Sequence, residues 1–288
     1  MRVLKIILAA AIIAAALFSC ARTEENGKPL IVVSIYPYEL VVKQLVGDSI
    51  RVETLIPPNA SPHTYSPRPR DVKTLKQADL VLVNGFELEE ALSPTLAALG
   101  EKRVSVEELL AATGTREPAG VNPHVWLSPR LLRQFVLQLN EHLQKVFPEY
   151  RESIAKNAGT LYSQLTELDD RISAERSAYA STPAITYHDS FHHFFTDYDI
   201  AYLGSVQESP GSEPTPRELA RLGEIIQEHK VKAIYVEPQL DRRSAESLSR
   251  EFGLKILELD PLGFSLQPRP KTIVELIDAN WQLLRQGW

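Results

Sequence analysis

From Lys28 onward the chain alternates short apolar runs with longer stretches of helical spacing. Pro29 to Tyr36 (PLIVVSIY) is apolar and β-branched, the pattern of a strand covered on both faces. Arg51 to Ile56, Asp79 to Asn84 and the weaker Lys102 to Val106 read as further strands. Helical patterns fall between them, at Tyr38 to Val46, Pro69 to Gln77 and Leu88 to Leu99. A second series follows later. Pro183 to Tyr187, Ile200 to Val206, Lys232 to Val236 and Lys255 to Leu259 read as strands, and Pro216 to His229, Ser244 to Phe252 and Lys271 to Arg285 as helices. Thr215-Pro216 with Glu218 behind it is a helix start. This rhythm predicts βα units and mostly parallel sheets.

Between the two series the pattern changes. Pro129 to Val146 is helical, and Glu149 to about Tyr179 continues with no proline and one glycine. Ile154, Leu161, Leu165, Leu168 and Ile172 keep to one stripe. A helix of that length exceeds what one small domain needs and predicts a strut, the alternative being two helices broken near Asn157 to Gly159. The expected fold is α/β: two βα lobes with mostly parallel sheets, joined by a single long linking helix. The expected division is 29–148 for the N-terminal lobe, 149–180 for the linking helix and 181–288 for the C-terminal lobe.

The first 28 residues follow neither pattern. Arg2 and Lys5 precede an uncharged apolar run from Ile6 to Phe18. That run is shorter than the ~20 residues a spanning helix needs, and it suits a secretory signal peptide. It ends in Leu17-Phe18-Ser19-Cys20, which resembles a bacterial lipobox, with Phe18 bulkier than usual. The expectation is a signal peptide over 1–19, lipidation of Cys20, and a polar tether over 20–28 that anchors an exported protein at a membrane surface, periplasmic or on the cell exterior.

Composition narrows the function. The 288 residues contain one cysteine, which excludes an intramolecular disulfide and a thiolate zinc cluster. The net charge of −6 becomes −8 once Arg2 and Lys5 are removed, so no nucleic-acid partner is expected. Metal chemistry must then rest on histidine and carboxylate.

Three of the seven histidines sit in loops after predicted strands: His63 in SPHTYSP, His124 in NPHVWLSP and His188 in TYHDSF. Asp260 holds the matching place in LDPLG. Ligands of open α/β sheets bind outside the carboxyl ends of strands, so these four side chains are candidates for one metal site in the interlobe cleft. Taken singly, each has an ordinary alternative: a loop histidine is often a hydrogen-bonded or surface residue, and Asp260 before proline is also a turn starter. His188 and His192 stand four apart, a spacing that chelates zinc on a helix. His142 and His229 fall among polar residues of predicted helices, where solvent exposure is expected. Glu237, in Val-Glu-Pro-Gln, is a candidate to orient a ligand histidine, or a plain charged loop residue.

Together, SPHxYxP followed by Arg70-Asp71, NPHVWLSP, YHDSFxxF, VEPQ and LDPLG resemble the serial motifs of the cluster A-I solute-binding proteins, the ZnuA/TroA-like zinc and manganese receptors of bacterial ABC importers. The resemblance runs in order along nearly the whole mature chain. It implies two α/β lobes on one rigid helix, with His63, His124, His188 and Asp260 as metal ligands and His192 and His193 outside the ligand set. Histidine rather than glutamate at position 188 implies Zn²⁺, with Mn²⁺ the alternative. Three imidazoles and one carboxylate suit Zn²⁺ in any case. The chain departs from many zinc receptors in having a short, histidine-free segment at Ala111 to Val121 and no disulfide. The implied partners are an ABC permease and its separate ATPase subunit, since no P-loop is present, and the chain is expected to act as a monomer. A zinc hydrolase is the competing class, and neither HExxH nor GxSxG occurs. Some relatives are discussed as adhesins, a role with no specific motif in this chain.

Overall fold

The computed structural model describes residues 27–114, 122–178, 183–207 and 213–288. The expected signal peptide, Cys20 and most of the tether lie outside these residues, as does the 115–121 part of the short segment before His124.

Two four-stranded parallel sheets form the frame. The first contains β1 (Leu30–Val33), β2 (Arg51–Thr54), β3 (Leu80–Val83) and β4 (Arg103–Ser105), in the order β2-β1-β3-β4. The second contains β5 (Ala184–His188), β6 (Tyr202–Gln207), β7 (Ala233–Val236) and β8 (Lys255–Glu258), in the equivalent order β6-β5-β7-β8. The central strands β1, β3, β5 and β7 are buried along their whole length, as their unbroken apolar runs require. β1 is shorter than the run Pro29 to Tyr36 because Tyr36-Pro37 already opens α1 (Tyr36–Val46), with proline in the first turn where its missing N–H costs nothing.

Helices α2 (Pro69–Gln77), α3 (Ser93–Ala97) and α4 (Val106–Ala111) complete the first lobe. The helix expected over Leu88 to Leu99 is reduced to α3 and a 3₁₀ turn at Glu90–Leu92. Glu89 is the reason: its carboxylate accepts the backbone N–H groups of Asn84 and Gly85, folding the chain back through positive φ at Phe86 and Glu87. α4 was not expected, although Ser105 and Glu108 form a capping box that the sequence displays.

α5 (Pro129–Val146) leads into α6 (Arg151–Ser177), which is continuous for 27 residues, about 40 Å at 1.5 Å per residue. Its buried face contains Ile154, Leu161, Leu165, Leu168 and Ile172, the stripe read from the sequence. The break at Asn157 to Gly159 does not occur, and Asn157 instead donates its side-chain N–H to the Leu45 carbonyl at 3.0 Å. At the far end Glu175 accepts from Trp281 Nε1 at 2.7 Å and Arg285 at 2.8 Å. The second lobe adds α7 (His192–Asp197), α8 (Pro216–His229), α9 (Arg243–Phe252) and α10 (Ile273–Leu284). One apolar cluster extends from β1 and β3 through α6 to Phe194, Leu276 and Trp281, so both lobes share it. A second cluster lies under α8 and α9. No helix among the described residues is long and apolar enough to cross a membrane.

Candidate metal centre

The loops that carry His63 and His124 in the first lobe meet the end of β5 in the second, where His188 stands. His63 sits on the loop between β2 and α2. Asp71 holds that loop by accepting from Tyr65 Oη at 2.5 Å and from the Arg68 backbone N–H at 2.7 Å. This accounts for the Tyr and Asp of the first motif.

His124 follows a loop seated on Asn84, at the end of β3, which donates to the Pro123 carbonyl at 2.9 Å. Asn122 Oδ1 accepts the backbone N–H of His124 at 3.0 Å and lies 2.7 Å from its Nδ1. Because that oxygen only accepts, Nδ1 bears the proton and Nε2 keeps its lone pair. His188 ends β5. Its Nδ1 is 3.1 Å from Glu237 Oε1, which also accepts from Ser190 Oγ at 2.8 Å. The same tautomer follows, with Nε2 free. These are the outer hydrogen bonds that orient histidines in metal sites.

The three imidazoles converge. One nitrogen from each of His63, His124 and His188 lies within 4.8 Å of the other two, and the His63 and His124 Nε2 atoms are 3.2 Å apart. Nitrogens bound to one tetrahedral ion at ~2.0–2.1 Å stand about that far from each other. The adjoining cavity is about 20 Å³, enclosed by Pro62, Trp126, Leu240 and Leu262 among others. Burial and the neighbouring His188 pull the His63 imidazole down to about 3. Burial, then His188 and His63, hold His124 well below the usual imidazole value. Both are therefore neutral lone-pair donors at physiological pH.

Asp260 does not join them. It is fully buried, and both its oxygens are occupied: Oδ1 accepts from Leu262 N, Gly263 N and Gln239 Nε2, and Oδ2 accepts from Ser265 N and Oγ. The carboxylate shapes its own loop, and the metal-ligating group of described residues contains the three histidines without it. Of the four side chains expected to converge, the structure brings together His63, His124 and His188, and Asp260 stands outside that group.

The remaining histidines separate clearly. His193 Nε2 donates to the Asn122 carbonyl at 2.7 Å, holding the His124 loop from the second lobe. His192 is half-exposed beside Asp189. His229 is exposed, as expected, whereas His142 is partly buried with Nε2 enclosed. The supporting roles of Asn122, Asn84 and Asp71 were not assigned from sequence, although the first stands two residues before a motif histidine, a common place for a side chain that caps its own loop.

Three donors leave a coordination position open, as in catalytic zinc sites. The adjoining cavity of about 20 Å³ has room for a single water or ion beside the three histidines.

Residues 31–287 match the ZnuA family, described as the periplasmic component A of the zinc-uptake complex. A protein of Thermotoga maritima named for metal binding is 35% identical over 261 residues, covering 89% of this chain and 92% of its own. The zinc-binding lipoprotein AdcA of Streptococcus pneumoniae is 28% identical over 300 residues; the match takes in 97% of this chain and 60% of AdcA. Among solved structures, the periplasmic zinc-binding protein TroA of Treponema pallidum matches with a TM-score of 0.81 at 24% identity, covering 91% of this chain and 99% of TroA, a likeness of fold. The chain belongs to the ZnuA family, the extracytoplasmic metal-binding receptors of ABC importers, which are not enzymes.

Proposed function

We propose that the protein captures Zn²⁺ with His63, His124 and His188 and delivers it to an ABC permease whose separate ATPase drives import. The observation that carries this reading is the convergence of three imidazoles on a cavity of about 20 Å³ at the seam between lobes. A nitrogen donor set favours Zn²⁺ over Mn²⁺ by the Irving–Williams order, and manganese prefers oxygen. Glu237 and Asn122 orient two of the ligands from behind. Names of relatives support the same metal: AdcA is called a zinc-binding lipoprotein and TroA a periplasmic zinc-binding protein.

Lipidation at Cys20 completes the proposal, since it keeps the receptor near its permease. Residues 29–148 and 181–288 then act as the two jaws, with 149–180 between them.

Metal analysis of the purified protein with competitive Zn²⁺ and Mn²⁺ titration tests the assignment. One Zn²⁺ per chain is expected, bound more tightly than Mn²⁺. Tight binding that survives replacement of both His63 and His188 would overturn the site, and preferential Mn²⁺ binding would overturn the metal. Fatty-acid labelling of whole cells, lost in Cys20→Ala, tests the anchor.

A further inference from the structure

The second sheet ends at an open edge. β8 is its last strand and pairs with β7 on one side only. Lys255 N donates to the Lys232 carbonyl and Leu259 N to the Val236 carbonyl, each at 2.9 Å. Backbone groups alternate in direction along a strand, so Lys255, Leu257 and Leu259 face β7, and Ile256, Glu258 and Asp260 face away from it. Asp260 is already answered on that outer side: its N–H donates to Asn280 Oδ1 at 2.8 Å, and its carbonyl accepts from Asn280 Nδ2 at 2.9 Å. One side-chain amide thus takes the place a neighbouring strand would fill. The outward N–H and C=O groups of Ile256 and Glu258 have no such partner among the described residues.

These groups border a groove of about 620 Å³ between β8 and α10. Glu275, Asp278, Ala279, Gln282 and Leu283 supply the helical wall, at the spacing of one helix flank, and Leu266 and Pro268 line it from the loop between. The size is that of a ligand site, about 300–1,000 Å³. Its charge is one-sided: Glu258, Glu275 and Asp278 line it, and no lysine or arginine does. Asp278 is paired with Arg171 at 2.8 Å. Glu275 accepts the Lys271 backbone N–H at 2.7 Å and, like Glu258, has no ion-pair partner among the described residues. An open strand edge beside a helix is a geometry in which an extended peptide adds as a further strand: main-chain bonds give affinity, and alternate side chains give specificity.

We propose that the groove between β8 and α10 docks an extended cationic segment of a partner protein, which pairs with the outward backbone of Ile256 and Glu258 and sets basic side chains against Glu258 and Glu275. Charge argues against this chain as its own occupant. The tether over 20–28 balances Arg22 and Lys28 against Glu24 and Glu25, and a second copy would bring further net negative charge to an acidic groove. Asn280 stops the added strand short of Asp260. The groove ends there, on the loop whose Pro261 and Leu262 wall the histidine cavity, so a docked partner borders that loop without entering the cavity.

The probe is a fluorescein-labelled hexapeptide of alternating valine and lysine, titrated into the intact protein and followed by anisotropy, with a valine–glutamate hexapeptide as its counterpart. The lysine peptide is expected to bind at least about tenfold more tightly than the glutamate peptide, and to lose about tenfold in Ala279→Arg, which puts a cation on the groove wall. Glu258→Pro removes an outward donor at a sheet edge, where proline is tolerated, and is expected to lose as much. Amide hydrogen exchange in wild type locates the contact: the lysine peptide is expected to slow exchange at Ile256 and Glu258 and to leave Lys255 and Leu257 unchanged. Equal binding of the two peptides, unchanged affinity in Ala279→Arg, or new protection confined to other elements would overturn the proposal. If Glu258→Pro does not fold, Ala279→Arg and the wild-type exchange pattern decide. Sedimentation that shows a dimer dispersed by the peptide would also overturn it, by giving the groove to a second copy. None of these readouts involves the metal, so failure here leaves the zinc reading untouched.

Discussion

Replacing Glu237 probes how much the ligand geometry depends on the residues behind it. Its Oε1 accepts from His188 Nδ1 at 3.1 Å and from Ser190 Oγ at 2.8 Å, and His188 and Ser190 are 5% and 1% exposed. Glu237→Ala leaves two buried donors unpaired. At about 1–3 kcal/mol for each orphaned group, the metal-free protein is expected to lose about 2–6 kcal/mol. A second effect falls on the metal. Without its acceptor the His188 ring is free to place its proton on Nε2 and to rotate off the site. Loss of such an outer partner weakens metal binding about 10- to 100-fold, or about 1.4–2.8 kcal/mol. Glu237→Gln keeps an acceptor oxygen of the same reach, so most of the stability and more of the affinity are expected to remain. Competition against a chromophoric chelator gives the affinity, and urea unfolding of the metal-free protein gives the stability. A Glu237→Ala protein that is destabilised but binds Zn²⁺ within twofold of wild type would refute the reasoning, because packing alone would then orient His188.

The buried imidazoles make binding resistant to mild acid. Two imidazoles of ordinary pKa would lose about a hundredfold in affinity to protonation between pH 7.5 and 5.5. His63 at about 3 and His124, held low by burial, are expected to contribute none of it, and a hundredfold loss traced to these two by variants would contradict the burial argument. The same depression lowers metal-free stability in acid: the unfolded chain takes up protons on these histidines as pH falls below about 6.5, while the folded chain does so at His63 only near 3. Asp197 works in the opposite direction. Burial raises it to about 6 where Ser128 Oγ donates to it, so the folded state binds its proton first and this contribution is lost as pH rises from about 4 to 6. Asp197→Asn is expected to raise stability at pH 7 relative to pH 5, measured by unfolding at both values; an unchanged difference contradicts it. Gly263 has φ of +77°, and an added Cβ would lie 2.8 Å from Leu276 Cδ1. Gly263→Ala is expected to cost about 2–4 kcal/mol in urea unfolding, and an unchanged midpoint would show that the loop yields.

The strands, the long helix and the three histidine loops were legible because each has a local cause. The stripe from Ile154 to Ile172 lies on one face whatever surrounds it, and proline stiffens the loops that carry His63, after β2, and His124, after α4. The fate of Asp260 was not legible. Its carboxylate is turned inward by N–H groups of Leu262, Gly263 and Ser265, and its backbone is clamped by Asn280, twenty residues away on α10. Sequence shows an aspartate after a strand but not which of two neighbours, metal or loop, receives its oxygens. The break-up of Leu88 to Leu99 has the same origin, since Glu89 finds backbone donors at Asn84 and Gly85 that a helical pattern does not reveal. Gln239 was visible as the last letter of Val-Glu-Pro-Gln, and only the structure shows its side-chain N–H donating to Asp260.

The seam between the lobes is fastened at several points besides α6. Trp126 Nε1 donates to the Pro261 carbonyl at 2.8 Å, Tyr36 Oη donates to the Pro270 carbonyl at 2.8 Å, and Ile273 N donates to Gln44 Oε1 at 3.2 Å. Neither half is therefore a module that could be cut out and used elsewhere: separating them would bare one wall of the apolar cluster they share and break the histidine trio into unequal parts. What can be inherited, swapped or transplanted is the pair, and a change in either half must be accommodated by the other.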